Sequence, residues 1–77
     1  MNLSKDKDIL VKLGESIRKK AKNKYKSNVE LANVCDVAES TIRRIIAGEQ
    51  NISINVLKRI CEALDIKMSD LLKEAGN

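Results

Sequence analysis

Phenylalanine, tryptophan, histidine and proline are all absent from this chain, and Tyr25 is its only aromatic residue. Without aromatic bulk the core has to be aliphatic, drawn from Ile, Leu, Val and Ala. The lack of proline, with only three glycines, argues against a sandwich or small barrel, because those folds need many turns. An all-α fold is expected instead. No histidine, no nucleophile–base pair and no glycine-rich phosphate loop are present, so an enzyme is not expected. The two cysteines, Cys35 and Cys61, form no CxxC motif and are too few to hold zinc. Both fall on apolar helical faces and read as buried free thiols acting as small hydrophobes, which suits a reducing compartment. No apolar run approaches membrane-span length, and the first residues are polar. A soluble, cytoplasmic protein is expected, with no membrane partner, no metal, no cofactor and no evident small-molecule ligand.

What is present is charge, unevenly spread. The 77 residues carry 15 basic and 11 acidic side chains, a net charge of +4. Residues 1–26 hold nine of the basic groups against three acids, whereas residues 27–77 carry a small negative excess. Six basic residues and no acid lie between Arg18 and Lys26. One reading is a solvated basic helix end followed by a lysine-rich loop, since lysine near a helix C-terminus also suits the helix dipole. The other is a surface that faces phosphate. The length suits one domain, residues 1–77, whose core alone contributes only about 3–5 kcal/mol.

Five helices are expected. Ser4 is a candidate N-cap for a first helix over about 5–22, with Leu10, Leu13, Ile17 and Ala21 as its apolar stripe. Ser27 caps a second helix and Glu30 completes a capping box. A third spans 39–47 and ends at Gly48, a C-cap glycine. Ser53 opens a fourth, with Ile54, Leu57, Ile60, Cys61 and Leu64 on one face. A short last helix starts at Met68 or Ser69 and carries Leu71 and Leu72.

The most informative stretch is 28–47. Two short amphipathic helices are implied there, separated by about three residues. Val29, Leu31, Ala32 and Cys35 serve the first; Ile42, Ile45 and Ile46 serve the second. Asp36 stands at the turn, where its tolerance of a left-handed conformation helps, and Val37 follows as an apolar plug. A short turn between two such helices makes a helix-turn-helix, whose second helix can enter the DNA major groove.

With the second of these helices set at 100° per residue and Ile42 at zero, the core direction lies near zero between Ile45 and Ile46. Ser40 and Arg44 then point about 160° away, one turn apart, and Arg43 and Thr41 lie on the flanks at about 100°.

From about Leu13 to Leu72 the residues resemble the Cro/C1-type, phage-repressor-like (XRE) helix-turn-helix family. Leu31-Ala32, Ser40-Thr41-Ile42 and Ala47-Gly48-Glu49 carry the likeness. So does the tail Asn51-Ile52-Ser53-Ile54, Leu57, Ile60, Ala63-Leu64-Asp65-Ile66 and Leu71-Leu72, and the part from Gly48 onward is similar to restriction–modification controller proteins. The resemblance implies a five-helix bundle acting as a dimer on operator DNA. It implies a phosphate contact for Asn28 and base-edge positions for Ala38, Glu39, Ser40 and Arg44. Backbone contacts are implied for Thr41 and Arg43, and phosphate contacts for Gln50 and Asn51.

Three residues depart from the family pattern. Asp36 replaces the usual turn glycine. Ala21 and Ile46 stand where the family often has an arginine and the glutamate paired with it. Losing both halves of a buried pair together can be neutral, whereas losing one is costly.

Alternatives stay open at single positions. Arg44 either forks onto a guanine edge, or is a solvent-exposed arginine with no partner, or is bonded to Glu39 or Glu49. Glu39 either accepts from a cytosine or simply complements the helix dipole. Ser40 either reads a base or is small for close approach. Arg43 reads as a phosphate clamp.

The expected function is a sequence-specific DNA-binding transcriptional regulator on a palindromic operator. The competing reading is a protein-interaction module of the same fold, antitoxin- or coactivator-like, with DNA binding secondary. A homodimer is expected through Ile66, Met68, Leu71 and Leu72, because adjacent leucines about 100° apart on a short helix cannot both face inward.

Overall fold

Two of the five helices start on a serine cap, and three end in the same way. The computed structural model describes the backbone of residues 3–49 and 51–76, with side chains from residue 8 onward within them. The helices are α1 (Leu3–Lys24), α2 (Asn28–Cys35), α3 (Glu39–Ile46), α4 (Ile54–Leu64) and α5 (Met68–Gly76). The all-α, five-helix expectation holds.

The starts of α2 and α4 follow the serine signals. Ser27 Oγ accepts the Glu30 N–H at 3.2 Å, and Ser53 Oγ accepts the Val56 N–H at 3.2 Å. Each serine satisfies a helix donor that would otherwise lack a partner. The Ser4 expectation fails: α1 already includes Leu3, so Ser4 lies within the first turn rather than capping it.

The ends use a left-handed residue. Asp36 closes α2 with φ 57°, Gly48 follows α3 with φ 73°, and Asp65 closes α4 with φ 56°. In each case the N–H of the next residue reaches back to a carbonyl in the last turn. Val37 bonds to Ala32, Glu49 to Arg44 and Ile66 to Cys61, at 2.9–3.0 Å. The left-handed residue itself donates one turn back, to Asn33, Ile45 and Glu62 respectively. This is the Schellman arrangement, which satisfies orphan carbonyls and turns the chain sharply.

The core is aliphatic. Ile17, Leu31, Ile42, Ile60 and Leu71 are fully buried, joined by Leu13, Ile45, Leu57, Leu64 and both cysteines. Each helix contributes to it, with α1 packed on α3, α4 and α5, and α2 packed on α3 and α4. No polar or charged side chain is buried among the described residues. Tyr25 shows how its one polar tip is handled: its hydroxyl donates to the Ala63 carbonyl at 2.6 Å, pinning the loop after α1 to α4 across 38 residues of chain. Lys20 on α1 meets Glu74 on α5 at 2.8 Å.

Some expected core residues lie outside it. Val29 and Ile54 are exposed, and Leu10 is only half-buried. Ala63, Ala75 and Gly14 are buried instead. Val29 and Ile54 each sit in the first turn of a short helix, beyond the reach of neighbouring elements. At Gly14 the end of α3 approaches too closely for any side chain. Ala21 is buried and Ile46 packs half-buried against the core, so apolar groups occupy both positions of the family's ion pair. No described helix is long and apolar enough to cross a membrane.

Candidate nucleic-acid interface

The third helix is a strip of two opposite faces. Ile42 and Ile45 are buried at 0% and 4% exposure, and Ile46 packs beside them. On the other side Arg43 and Arg44 are exposed, with Ser40 and Thr41 half-buried. The apolar face fixes the helix on the core, so the polar face points outward. Arg44 is exposed, as expected of the outward pair, whereas Ser40 is half-buried and no more exposed than Thr41.

Asp36 and Val37 build the connection from α2. The left-handed Asp36 turns the chain, and Val37 packs half-buried against the core as the plug under the turn. Arg59 Nη1 donates to the Asp36 carbonyl at 3.5 Å, tying α4 to the turn. Ala38 is the N-cap residue of α3, in extended conformation, and offers no side-chain cap bond. The first turn closes on its carbonyl, which accepts from Thr41 and Ile42. Ala38 is exposed and Glu39 half-buried.

Glu39 has a partner. Its Oε1 lies 3.3 Å from Arg43 Nη1, one turn along the helix. Of the alternatives open for Arg44, the bond to Glu39 is not the one made; Arg43 holds that carboxylate. Arg44 is left without a carboxylate partner among the described residues.

A second group of residues, which includes the expected Asn28, meets at the start of α2. Arg18, Lys22, Tyr25, Lys26, Ser27 and Asn28 line an open pocket of about 270 Å³. Asn28, the expected phosphate contact, is half-buried as the first residue of α2. The bend after α1 carries the basic run back against it. Single-residue reasoning did not name Arg18 or Lys26 as site residues; the signal was the acid-free run that contains them. The small Ala21 side chain also borders this pocket. Asn51 is exposed in the segment before α4, and Gln50 lies outside the described residues.

Burial raises both thiols above the ordinary value of 9.0; at Cys35 the nearby Arg59 charge opposes the rise. Both are free. No cluster able to hold a metal ion occurs among the described residues.

A family model described as "Helix-turn-helix" matches residues 17–71. Among solved structures, the restriction-modification controller protein C.AhdI from Aeromonas hydrophila is 29% identical with a TM-score of 0.76. That match covers 80% of this chain and 94% of the controller. The clp gene regulator ClgR from Corynebacterium glutamicum is 27% identical with a TM-score of 0.80. It covers 87% of this chain and 86% of that one. No curated protein matches the chain.

Proposed function

Because the chain belongs to the Cro/C1-type helix-turn-helix family, we propose that it is a transcriptional regulator that binds a palindromic operator as a homodimer, with α3 in the major groove. The observation that carries this reading is the two-faced α3. An apolar face locks the helix to the core and leaves Arg43 and Arg44 exposed, with Ser40 half-buried one turn before Arg44, which has no carboxylate partner among the described residues. An arginine so placed can fork onto guanine O6 and N7. Ala38 and Glu39 lie at the leading end of the same helix, and Thr41 and Arg43 flank it toward the backbone.

Phosphate contacts come from Asn28 with Arg18, Lys22 and Lys26 around the same pocket, and from Gln50 and Asn51 after the recognition helix. Such contacts position the protein without reading sequence. The likeness to a restriction-modification controller and a clp gene regulator supports a regulatory role. The partner is double-stranded DNA and a second copy of the chain.

The reading is tested by selecting bound duplexes from a random pool. A palindromic consensus is expected, with affinity falling steeply as salt rises. Recovery of no enriched sequence, with weak retention on heparin, would favour a protein-interaction module instead.

A further inference from the structure

Gly14 lies in the middle of α1 and is buried. Glycine in a helix interior costs about 0.5–1 kcal/mol relative to alanine, so its presence there needs a cause. The cause is backbone. A Cβ at this position would stand 2.4 Å from the Ile46 carbonyl oxygen and 2.6 Å from that of Ile45. Real Cβ contacts essentially never fall below 3.0 Å.

A second glycine answers it from the other side. A Cβ on Gly48 would come within 2.9 Å of the Val11 Cα. Val11 and Gly14 are one turn apart on α1. The C-terminal end of α3 therefore rests directly on the backbone of α1, with no side chain of either glycine between them. The Gly14 Cα faces the Ile46 carbonyl, with the Ile45 carbonyl, which already accepts the Gly48 N–H, beside it.

This seat joins the two parts of the proposed interface. Farther along α1 lie Arg18 and Lys22, whose charges attract any duplex. On α3, next to the seat, lies the outward Arg44. The spacing between the two is set at Gly14, and no flexible side chain can absorb a change there.

We infer that Gly14 is a positioning residue for DNA reading: it sets the depth of α3 relative to the basic end of α1, and so governs discrimination among sequences rather than general attraction to DNA. The inference rests on the DNA-binding reading above. A methyl group at this position forces the end of α3 to move by about half an ångström or more. The charges on α1 stay where they are. Base-edge hydrogen bonds are sensitive to such a shift, because their strength falls steeply with distance and angle. Attraction to phosphate is not.

The test compares the wild-type chain with Gly14→Ala on the selected operator and on a scrambled duplex, by fluorescence anisotropy across a salt series. The expected result is a loss of roughly tenfold or more on the operator, the scale of one good base contact. The scrambled duplex keeps its affinity within about twofold and its salt slope is unchanged. A preserved operator-to-scrambled ratio overturns the inference, whether both affinities hold or both fall with the folded fraction.

If the variant is too unstable to titrate, the same comparison is made in an Asp65→Gly background. That site lies at the far end of α4, where glycine relieves a left-handed residue. A readout without DNA accompanies it. Amide chemical shifts of Ile45 to Gly48 should move in Gly14→Ala while those of α5 hold, and an unmoved α3 overturns the inference by itself. A wild-type chain that prefers no duplex overturns the DNA-binding reading and the discrimination role together. Shifted Ile45–Gly48 amides then still mark the seat, which separates that failure from a failure at Gly14.

Discussion

Glu39 Oε1 and Arg43 Nη1 lie 3.3 Å apart on the outward side of α3. The two side chains are 36% and 63% exposed, so solvent screens the pair and it contributes at most about 0.5 kcal/mol to folding. Its larger consequence is at the interface, where Glu39 holds the flanking arginine and places a negative charge beside it. Glu39→Gln should tighten binding to every duplex several-fold, most strongly at low salt, with little change in melting temperature. Weaker binding to one base position only would give Glu39 a base contact instead.

Among the described residues no carboxylate restrains Arg44 in this way. Arg44→Ala should remove discrimination at one operator position, costing about 1–3 kcal/mol there. Arg43→Ala and Lys22→Ala should weaken binding to all sequences and reduce the salt slope by about one unit. Base-preference profiles for the three variants decide the assignment. An unchanged profile for Arg44→Ala with an altered one for Arg43→Ala would reverse the two arginines.

The buried face of α3 was legible because three isoleucines fall on one side of the helix. The helix ends were legible for a similar reason. Ser27, Ser53, Asp36 and Gly48 act through short-range bonds that depend on a few neighbouring residues. Val29 and Ile54 were misread as core because periodicity gives a direction but not a distance, and the first turn of a short helix extends past its neighbours. Gly14 carried no signal at all. Its role depends on a carbonyl 32 residues away in sequence, which no local pattern encodes. The partnership of Glu39 with Arg43 rather than Arg44 was a matter of spacing, since residues four apart on a helix face one another.

The two left-handed aspartates carry strain that glycine would not. Asp36 and Asp65 sit at φ 57° and 56°, a region costly for residues with a Cβ. Asp36→Gly and Asp65→Gly should each raise stability by about 0.5–1 kcal/mol. For a chain of this size that corresponds to a rise of a few degrees in melting temperature. Thermal denaturation followed by circular dichroism measures it. A fall at either position would mean that the aspartate carboxylate contributes more than its backbone strain costs.

Cys35 and Cys61 are 1% and 4% exposed, so a bulky thiol reagent should label neither in the folded protein and both after unfolding. Burial raises both thiols above 9.0. The folded state therefore keeps these protons at a pH where the unfolded chain has shed them. Stability linked to them is fully present below the unfolded thiol value and is lost as pH rises through and beyond 9. Denaturant midpoints should drop between pH 8 and pH 10, less so in a Cys61→Ala variant than in the parent. An equal drop in both would assign the pH dependence to other groups.

The adjacent leucines of α5 divide as their geometry demands. Leu71 is fully buried and Leu72 is 43% exposed. Met68, four residues earlier, shares the Leu72 side of the helix and is half-buried, as is Ile66 before it. This strip is narrower than the sequence suggested, because Ile66 and Met68 also pack on the monomer's own core. Leu72 is thus the residue with the most to gain from a partner, and exposed apolar groups that cluster tend to mark one. A two-fold pair sharing the strip would carry two copies of α3, and a palindromic site requires them to be about 34 Å apart, one turn of DNA. Sedimentation equilibrium at tens of micromolar should give a dimer for the wild-type chain and a monomer for the Leu72→Glu, Met68→Glu double variant. The monomeric variant should lose affinity for the full operator far more than for a half-site, because only the full site rewards pairing. A wild-type monomer with and without operator would rule out the dimer, and a double variant that still pairs would move the interface off α5.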